Sequence, residues 1–258
     1  MSQDDAKALS KARYSEYAQG YVESKTHAEG ADLDLLLALA QPQSDWVVLD
    51  VATGGGHTAL KFAPHVARVV ASDLTPNMLA AAEKFITSKD MHNVDFREAD
   101  AENLPFEAAQ FDLVTSRIAP HHFPDVPRFV AEAVRVLKPG GLLLVQDQML
   151  PPDPYAGGYV DAFEKLRDPS HHRAFSQAEW TGIFQQAGLT VERTEQVIKR
   201  HDFVPWAVRQ GCTPATLHQL ESLLRLAPPE VAAWLDATEV GTPQATFVNH
   251  HLLIAGRK

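Results

Sequence analysis

A glycine-rich turn after an apolar run is the first feature of the sequence that could do chemistry. The stretch VVLDVATGGGHTAL covers residues 47–60 and contains Asp50 followed by three consecutive glycines. Its part GGGHTA satisfies the pattern G-x-G-x-x-G/A, in which glycines let the backbone approach a ligand closely. Asp73 ends the next apolar run, where its carboxylate could accept hydrogen bonds from both hydroxyls of a ribose. These features fit a nicotinamide dinucleotide, which transfers hydride, and a sulfonium nucleoside, which transfers a methyl group.

Two acidic positions favour the sulfonium nucleoside. Asp50 lies at the tip of the first predicted strand, where its carboxylate would repel the pyrophosphate of a dinucleotide. The ammonium group of an amino-acid tail would instead be attracted there. Asp100 and Ala101 follow the third predicted strand, where an acidic side chain beside a small residue can bind the amino group of an adenine ring.

Histidines are the candidate proton acceptors, because an unperturbed imidazole titrates near pH 6.5. The segment APHHFPD places His121 and His122 after the fourth predicted strand, where they either line an acceptor pocket or cap the next helix. The segment PSHHR places His171 and Arg173 where they could bind an anionic acceptor or form a solvated loop. Adjacent histidines on a strand point to opposite faces, as expected for the later NHHLLI segment, so we expect no metal site.

Apolar strands alternate with amphipathic helices between residues 45 and 150. This alternation predicts a doubly wound α/β unit, with a mostly parallel sheet covered by helices on both faces. Ligands of such sheets bind at the carboxyl ends of the strands, where the glycine turn lies. Segments 150–175 and 205–240 are predicted to cap this edge, and the pair Ser176 and Glu179 predicts a capped helix start.

We expect a single domain made of three parts. Residues 1–44 form an N-terminal helical lid and residues 45–150 form the ligand-binding core. Residues 151–258 supply cap insertions and the terminal strands of the same fold.

Composition narrows the partners and the compartment. The chain has 258 residues and a net charge of -10, which disfavours a nucleic acid partner. The single cysteine, Cys212, excludes an internal disulfide and fits a reducing compartment. The sequence shows no signal peptide and no apolar run near the roughly 20 residues that cross a bilayer. We therefore expect a cytoplasmic protein without a membrane span.

Four segments, in order, carry a resemblance to a known family. They are LDVATGGGHTA, VVASDLTPNMLAAA, READAENLPFEAAQFDLVTSRIAPHHFPD and EAVRVLKPGGLLLV. Together they resemble the class I S-adenosylmethionine-dependent methyltransferases, and within these the ubiquinone/menaquinone-biosynthesis branch with its methyltransferase type 11 domain. The resemblance covers residues 15–150. It implies a Rossmann-like, seven-stranded, mostly parallel sheet with an antiparallel last strand.

The resemblance also implies which residues bind S-adenosylmethionine. Those expected beside the methionine tail are Asp50, Ala52, Gly54, Gly56, Ser116 and Arg117. Those expected beside the adenosine are Asp73, Leu74, Met78, Asp100 and Ala101. Family members often have glycine where Ala52 stands, so the first loop position departs from the pattern. The N-terminal segment is implied to fold over the cofactor, with Tyr21 near the sulfonium and His27 as an acceptor candidate.

These observations predict a methyltransferase that acts on a small, partly apolar organic acceptor at C, O or N and releases S-adenosylhomocysteine. Alignment of the reactants can lower the barrier of such an in-line displacement by about 7–11 kcal/mol, so no single side chain must be catalytic. A base is needed only when the acceptor is protonated. A non-catalytic S-adenosylmethionine-binding relative and an NAD-dependent oxidoreductase are the alternatives, and a homodimer formed through the cap stays open.

Overall fold

The computed structural model describes residues 3–22 and 31–258 and contains one extended sheet. Its main strands are β1 (Val47–Val51), β2 (Arg68–Asp73), β3 (Val94–Glu98), β4 (Phe111–Arg117), β5 (Leu137–Leu150), β7 (Thr190–Asp202) and β8 (Thr246–Arg257). A two-residue strand, β6 (Phe175–Ser176), pairs with β5 beside them. The seven main strands follow the order β3-β2-β1-β4-β5-β8-β7. β8 runs antiparallel to both of its neighbours, and the pairs among β1 to β5 are parallel, which confirms the predicted sheet.

Helices flank the sheet and cover its carboxyl edge. They are α1 (Gln3–Val22), α2 (Ala31–Ala40), α3 (His57–Phe62), α4 (Pro76–Thr87), α5 (Val126–Val136), α6 (Pro154–Arg167), α7 (Gln177–Gln186), α8 (Phe203–Val208), α9 (Pro214–Arg225) and α10 (Pro229–Leu235). The predicted capping box is present at the start of α7, where Ser176 and Glu179 bond each other's backbone amides. Within the described part of the chain, no helix is long and apolar enough to cross a membrane.

Apolar side chains fill a layer on each face of the sheet. Val48 and Phe62 belong to one layer, and Leu49 and Phe129 belong to the other; all four are fully buried. Successive residues of a strand point to opposite faces, so a strand covered on both sides is apolar at most of its positions. Full burial of each such side chain contributes about 1.5–3 kcal/mol to the stability of the fold.

A third apolar cluster lies within the cap segments. Trp206 stacks on Phe163 at 5.3 Å between ring centroids and meets Phe247 edge-on at 4.5 Å. These rings join α8, α6 and the start of β8. The cluster therefore fixes α6 against the strands, and α6 brings several polar side chains to the carboxyl edge of the sheet.

Candidate active site

A cavity of about 260 Å³ lies at the carboxyl ends of β1, β2 and β4. The loops after these strands form one wall, and Lys7, Ser10 and Tyr14 of α1 line the cavity from another side. α1 packs beside α4, which follows β2. The cavity therefore occupies the predicted ligand position at this edge of the sheet.

The glycine loop adopts a backbone that side chains disfavour. Ala52, Gly54 and Gly56 have φ values of 55°, 54° and 83°. A Cβ atom at Gly56 would also lie 2.9 Å from Cδ1 of Ile86, so both conformation and packing require glycine there. Ala52 is the one residue of these three that is not glycine. A left-handed backbone conformation costs an alanine about 1–2 kcal/mol. Ala52 and Gly54 line the cavity, whereas Gly56 supports the loop from behind.

Asp73 anchors the loop from the end of β2. Its Oδ2 accepts a hydrogen bond from the Gly54 amide at 3.0 Å, and its Oδ1 accepts one from the Thr75 amide at 2.9 Å. Burial raises the pKa of Asp73. Asp73 lines the cavity, where its carboxylate is placed to accept hydrogen bonds from the hydroxyls of a ribose. Leu74 and Met78 line the cavity beside it.

Asp100 lies across the cavity and is bound by a residue that the sequence did not indicate. Nζ of Lys7 contacts Oδ2 of Asp100 at 2.7 Å and Oε2 of Glu102 at 2.6 Å. Burial opposes the charge of Lys7, but these two carboxylates raise its pKa. Asp100 and Ala101 both line the cavity. Lys7 lies in a polar helix with no pattern that could have marked it as a site residue.

Asp50 occupies a different position from the one expected from the sequence. It is 1% exposed and lies behind the glycine loop, outside the cavity lining. The Thr53 hydroxyl donates to its Oδ2 at 2.6 Å, and the Thr115 hydroxyl donates to its Oδ1 at 2.8 Å. Burial raises the pKa of Asp50 to about 6. Asp50 therefore holds the loop in place, and Ser116 is likewise buried away from the cavity.

Arg117 lines the cavity at the end of β4 and belongs to a buried ion-pair cluster. Its Nη2 lies 2.7 Å from Oδ2 of Asp32, and Nζ of Lys199 lies 3.0 Å from the same oxygen. Burial opposes ionisation of Asp32, yet the two cations lower its pKa. Asp32 and Lys199 were not predicted as site residues, because α2 and β7 come together with β4 only in the folded chain.

His121 forms a buried pair with an acidic residue of β5. Its Nδ1 lies 2.6 Å from Oδ1 of Asp147, and both side chains are almost fully buried. Because a carboxylate only accepts hydrogen bonds, Nδ1 carries the proton and Nε2 is the remaining basic nitrogen when the ring is neutral. Burial alone would lower the pKa of His121, but Asp147 raises it above its usual value. His121 lines the cavity.

His122 has the opposite environment. Its Nδ1 bonds the Ser170 carbonyl at 3.0 Å, so that nitrogen donates, and Nε2 accepts from the Tyr14 hydroxyl at 2.6 Å. Burial and the neighbouring His121 hold the pKa of His122 well below its usual value. The ring is therefore a neutral connector between α1 and the loop after β4.

Of the remaining candidates, His171 lies at the cavity and Arg173 does not. His171 lines the cavity, donates Nε2–H to Asp161 at 2.7 Å, and lies 5.2 Å from His121 between ring centroids. Arg173 is exposed, packs on Phe175 and pairs with Glu179, away from the cavity. The side chain of Tyr21 and the whole of His27 lie outside the described residues. Across residues 3–22 and 31–258, no three metal-ligating side chains are grouped to hold an ion.

Further polar residues line the cavity that sequence reasoning missed. They are Gln148 of β5, Glu164 and Arg167 of α6, and Asp168 and Gln210 of the cap. The apolar run around Gln148 hid its role, and the cap residues carry no motif.

Comparisons with known proteins agree on one family. A family model described as a methyltransferase domain matches residues 49–145. The uncharacterized methyltransferase YcgJ of Bacillus subtilis (strain 168) is 38% identical over 202 residues, which are 78% of this chain and 79% of that protein. A solved Bacillus halodurans C-125 structure, titled as a methyltransferase, shares 37% identity and a TM-score of 0.85, and the match covers 89% of this chain and 99% of that one.

Another relative matches a smaller share of the chain. The ubiquinone/menaquinone biosynthesis C-methyltransferase UbiE of Allorhizobium ampelinum is 38% identical over 118 residues, which are 43% of this chain and 46% of that protein. YcgJ and the Bacillus halodurans protein cover much more of this chain, so their similarity extends beyond the residues that the family model matches.

Proposed function

The chain belongs to the methyltransferase domain family, and from that premise we propose how its cavity divides between an S-adenosylmethionine cofactor and a small organic acceptor. The cofactor lies along the glycine loop, with Asp73 on its ribose and Asp100 at its adenine. The acceptor lies against His121 and His171. Membership of this family argues against the alternative of an NAD-dependent oxidoreductase.

The residues of the loop fit the cofactor. Gly54 lines the cavity with a φ of 54°, a backbone conformation that glycine adopts most readily. Asp73 is 8% exposed and held by two backbone amides, which fixes its carboxylate at the cavity wall. Asp100 is already bound by Lys7, so Lys7 joins the residues that position the adenine edge.

S-adenosylmethionine supplies an activated methyl group together with its leaving group. The protein therefore needs to align the acceptor, exclude water and remove a proton where the acceptor carries one. α1 contributes to water exclusion, because Lys7, Ser10 and Tyr14 all face the cavity.

His121 is the base that we assign to this proton transfer. The single observation that carries the assignment is the 2.6 Å hydrogen bond that Nδ1 of His121 donates to Asp147, in a histidine that lines the same cavity as the glycine loop. The carboxylate fixes the ring tautomer and stabilises the imidazolium that forms when Nε2 takes a proton. The acceptor atom is then one that loses a proton, an O–H or an activated C–H.

The net charge of -10 supports a small-molecule acceptor over a nucleic acid, and the free Cys212 supports a cytoplasmic location.

Calorimetric titration with S-adenosylhomocysteine tests the cofactor assignment. We expect a Kd below about 100 µM for the wild type. Asp73→Asn should bind at least about tenfold more weakly, because it lacks the charged carboxylate that accepts hydrogen bonds from the ribose hydroxyls. Asp90→Asn, at an exposed turn position, is the matched control and should bind like the wild type. An absence of heat at high micromolar concentration, or equal binding by Asp73→Asn, would contradict the assignment.

A further inference from the structure

A second polar wall of the cavity is formed by Gln148 and Glu164, which neither the cofactor nor the proton transfer uses. Gln148 follows Asp147 on β5, and Glu164 comes from the cap helix α6. Both line the cavity, and Glu164 is 4% exposed. Glu164 is close enough to His121 to raise the pKa of that imidazole, so this wall lies near the proposed base.

Two primary amides turn toward the carboxylate of Glu164. Nδ2 of Asn249 donates to Oε1 at 2.9 Å, and Nε2 of Gln148 reaches Oε2 at 3.4 Å. A flipped amide would place oxygen against oxygen, so the carboxylate fixes the orientation of both groups.

This orientation leaves the amide oxygens without donors. Oε1 of Gln148 and Oδ1 of Asn249 are buried and have no hydrogen-bond partner among the residues that the structure describes. An unpaired buried acceptor costs about 1–3 kcal/mol. Of these two residues only Gln148 belongs to the cavity lining, so this wall holds an acceptor oxygen that lacks a donor among the described residues.

Arg167 forms a long ion pair with this wall rather than a hydrogen bond. Nη1 of Arg167 stays 4.0 Å from Oε2 of Glu164, while its Nε and Nη2 donate to the carbonyl of Trp206. The guanidinium lies over the Trp206 ring at 4.1 Å, which holds it in place. A ligand group that donates hydrogen bonds would complete what the protein leaves unpaired.

We propose that Glu164 and Gln148 form a specificity site for a second hydrogen-bond donor, a hydroxyl or an ammonium group, on the acceptor molecule. The inference rests on the proposed function, because it adds a recognition group to the same acceptor. The acceptor class is then a small molecule with one ionisable group for His121 and a separate donor for Glu164. An acceptor lacking the second donor leaves Oε1 of Gln148 unpaired and is rejected.

Labelled methyl transfer to three matched probes tests this site. The probes are phenol with one donor, catechol with a second hydroxyl, and tyramine with an ammonium group. We expect wild-type kcat/KM to be at least about tenfold higher for catechol, tyramine or both than for phenol. Glu164→Leu should remove that preference, measured as the ratio of kcat/KM for catechol or tyramine to kcat/KM for phenol, whatever the size of its effect on phenol transfer itself. Glu164→Gln should weaken tyramine transfer more than catechol transfer, because it removes charge and keeps shape.

Controls separate this site from the proposed function. Glu230→Gln, at an exposed position of α10, should keep the wild-type preference. All variants should bind S-adenosylhomocysteine with the same affinity. A wild type that does not bind it would overturn the proposed function itself. The inference fails if the wild type has the same kcat/KM for all three probes, or if Glu164→Leu keeps the preference. It also fails if both Glu164 variants lower kcat/KM equally for every probe. A protein that binds S-adenosylhomocysteine but methylates no two-donor probe would contradict it as well.

Discussion

The two halves of the cavity are built in different ways. The cofactor half consists of strand ends and the turns directly after them, with Gly54, Asp73 and Asp100 each next to its own strand. The acceptor half joins residues from distant parts of the chain, such as Tyr14 with His122 and His121 with Asp147. The first half follows from local sequence motifs. The second half exists only once α1, β5 and the cap have come together.

The largest effect is expected from a substitution in the acceptor half of the cavity. His121→Asn keeps an amide N–H near the position of Nδ1 but removes the basic nitrogen. We expect transfer to a protonated acceptor to fall about 100-fold or more, with S-adenosylhomocysteine affinity unchanged. Single-turnover transfer of labelled methyl, measured on an acceptor found by screening the wild type, gives the rate.

His122→Asn is the matched comparison in the next position. Its ring serves as a connector, so we expect a loss of less than about tenfold in the same assay. Equal losses for the two histidines would contradict the separate roles assigned to them.

The next effect concerns the cofactor half. Gly56→Ala places a Cβ atom 2.9 Å from Ile86 and forces alanine into a φ of 83°. We expect the free energy of unfolding to fall by about 2 kcal/mol, measured by urea titration. Gly158→Ala in α6 is the control, since its Cβ atom meets nothing within 4 Å among the described residues, and it should stabilise by about 0.5–1 kcal/mol. Equal stability of the two variants would show that the loop geometry is not as described.

A pH comparison sharpens the contrast between the paired histidines. The pKa of His121 is raised, so its contribution to stability is full below its unfolded pKa and is lost as pH rises through the folded value. The pKa of His122 is lowered, so its neutral ring favours folding at higher pH and opposes it as pH falls below the unfolded value. Urea unfolding at pH 5.5 and 8 should show His121→Asn destabilised more at pH 5.5 and His122→Asn destabilised more at pH 8. Parallel pH profiles would contradict the opposite protonation states.

The smallest effect restores the pattern of the family loop. Ala52→Gly removes the strain of a left-handed alanine but makes the unfolded chain more flexible. We expect a net stabilisation of about 0.5–1 kcal/mol in urea unfolding. A loss of stability would mean that the Ala52 methyl group contributes packing that outweighs the strain.

Local periodicity was sufficient for the parallel core of the fold, and the antiparallel β8 was implied by the resemblance to a known family. For the cofactor half, the glycines and Asp73 were indicated by turn residues and strand ends that stand close together in the chain, and they line or support the cavity. Asp50 shows the limit of that reasoning. Its orientation depends on the hydroxyl of Thr115, 65 residues away, which binds it behind the loop.

Long-range pairing also explains why the acceptor half was only partly predicted. His121, His122 and His171 stood out as histidines, but Asp147 and Gln148 lie in an apolar strand that reads as core. Glu164 lies on a helix whose other residues build the cap cluster. Nothing near these residues in the chain indicates which partner each would meet.

A crystal structure with S-adenosylhomocysteine tests the central claim most directly. The account predicts the ribose hydroxyls within about 2.6–3.2 Å of the Asp73 carboxylate and the sulfur on the side of the cavity that His121 lines. A ligand bound elsewhere, or a cavity left empty at saturating ligand with Asp73 bonded only to Gly54 and Thr75, would contradict it.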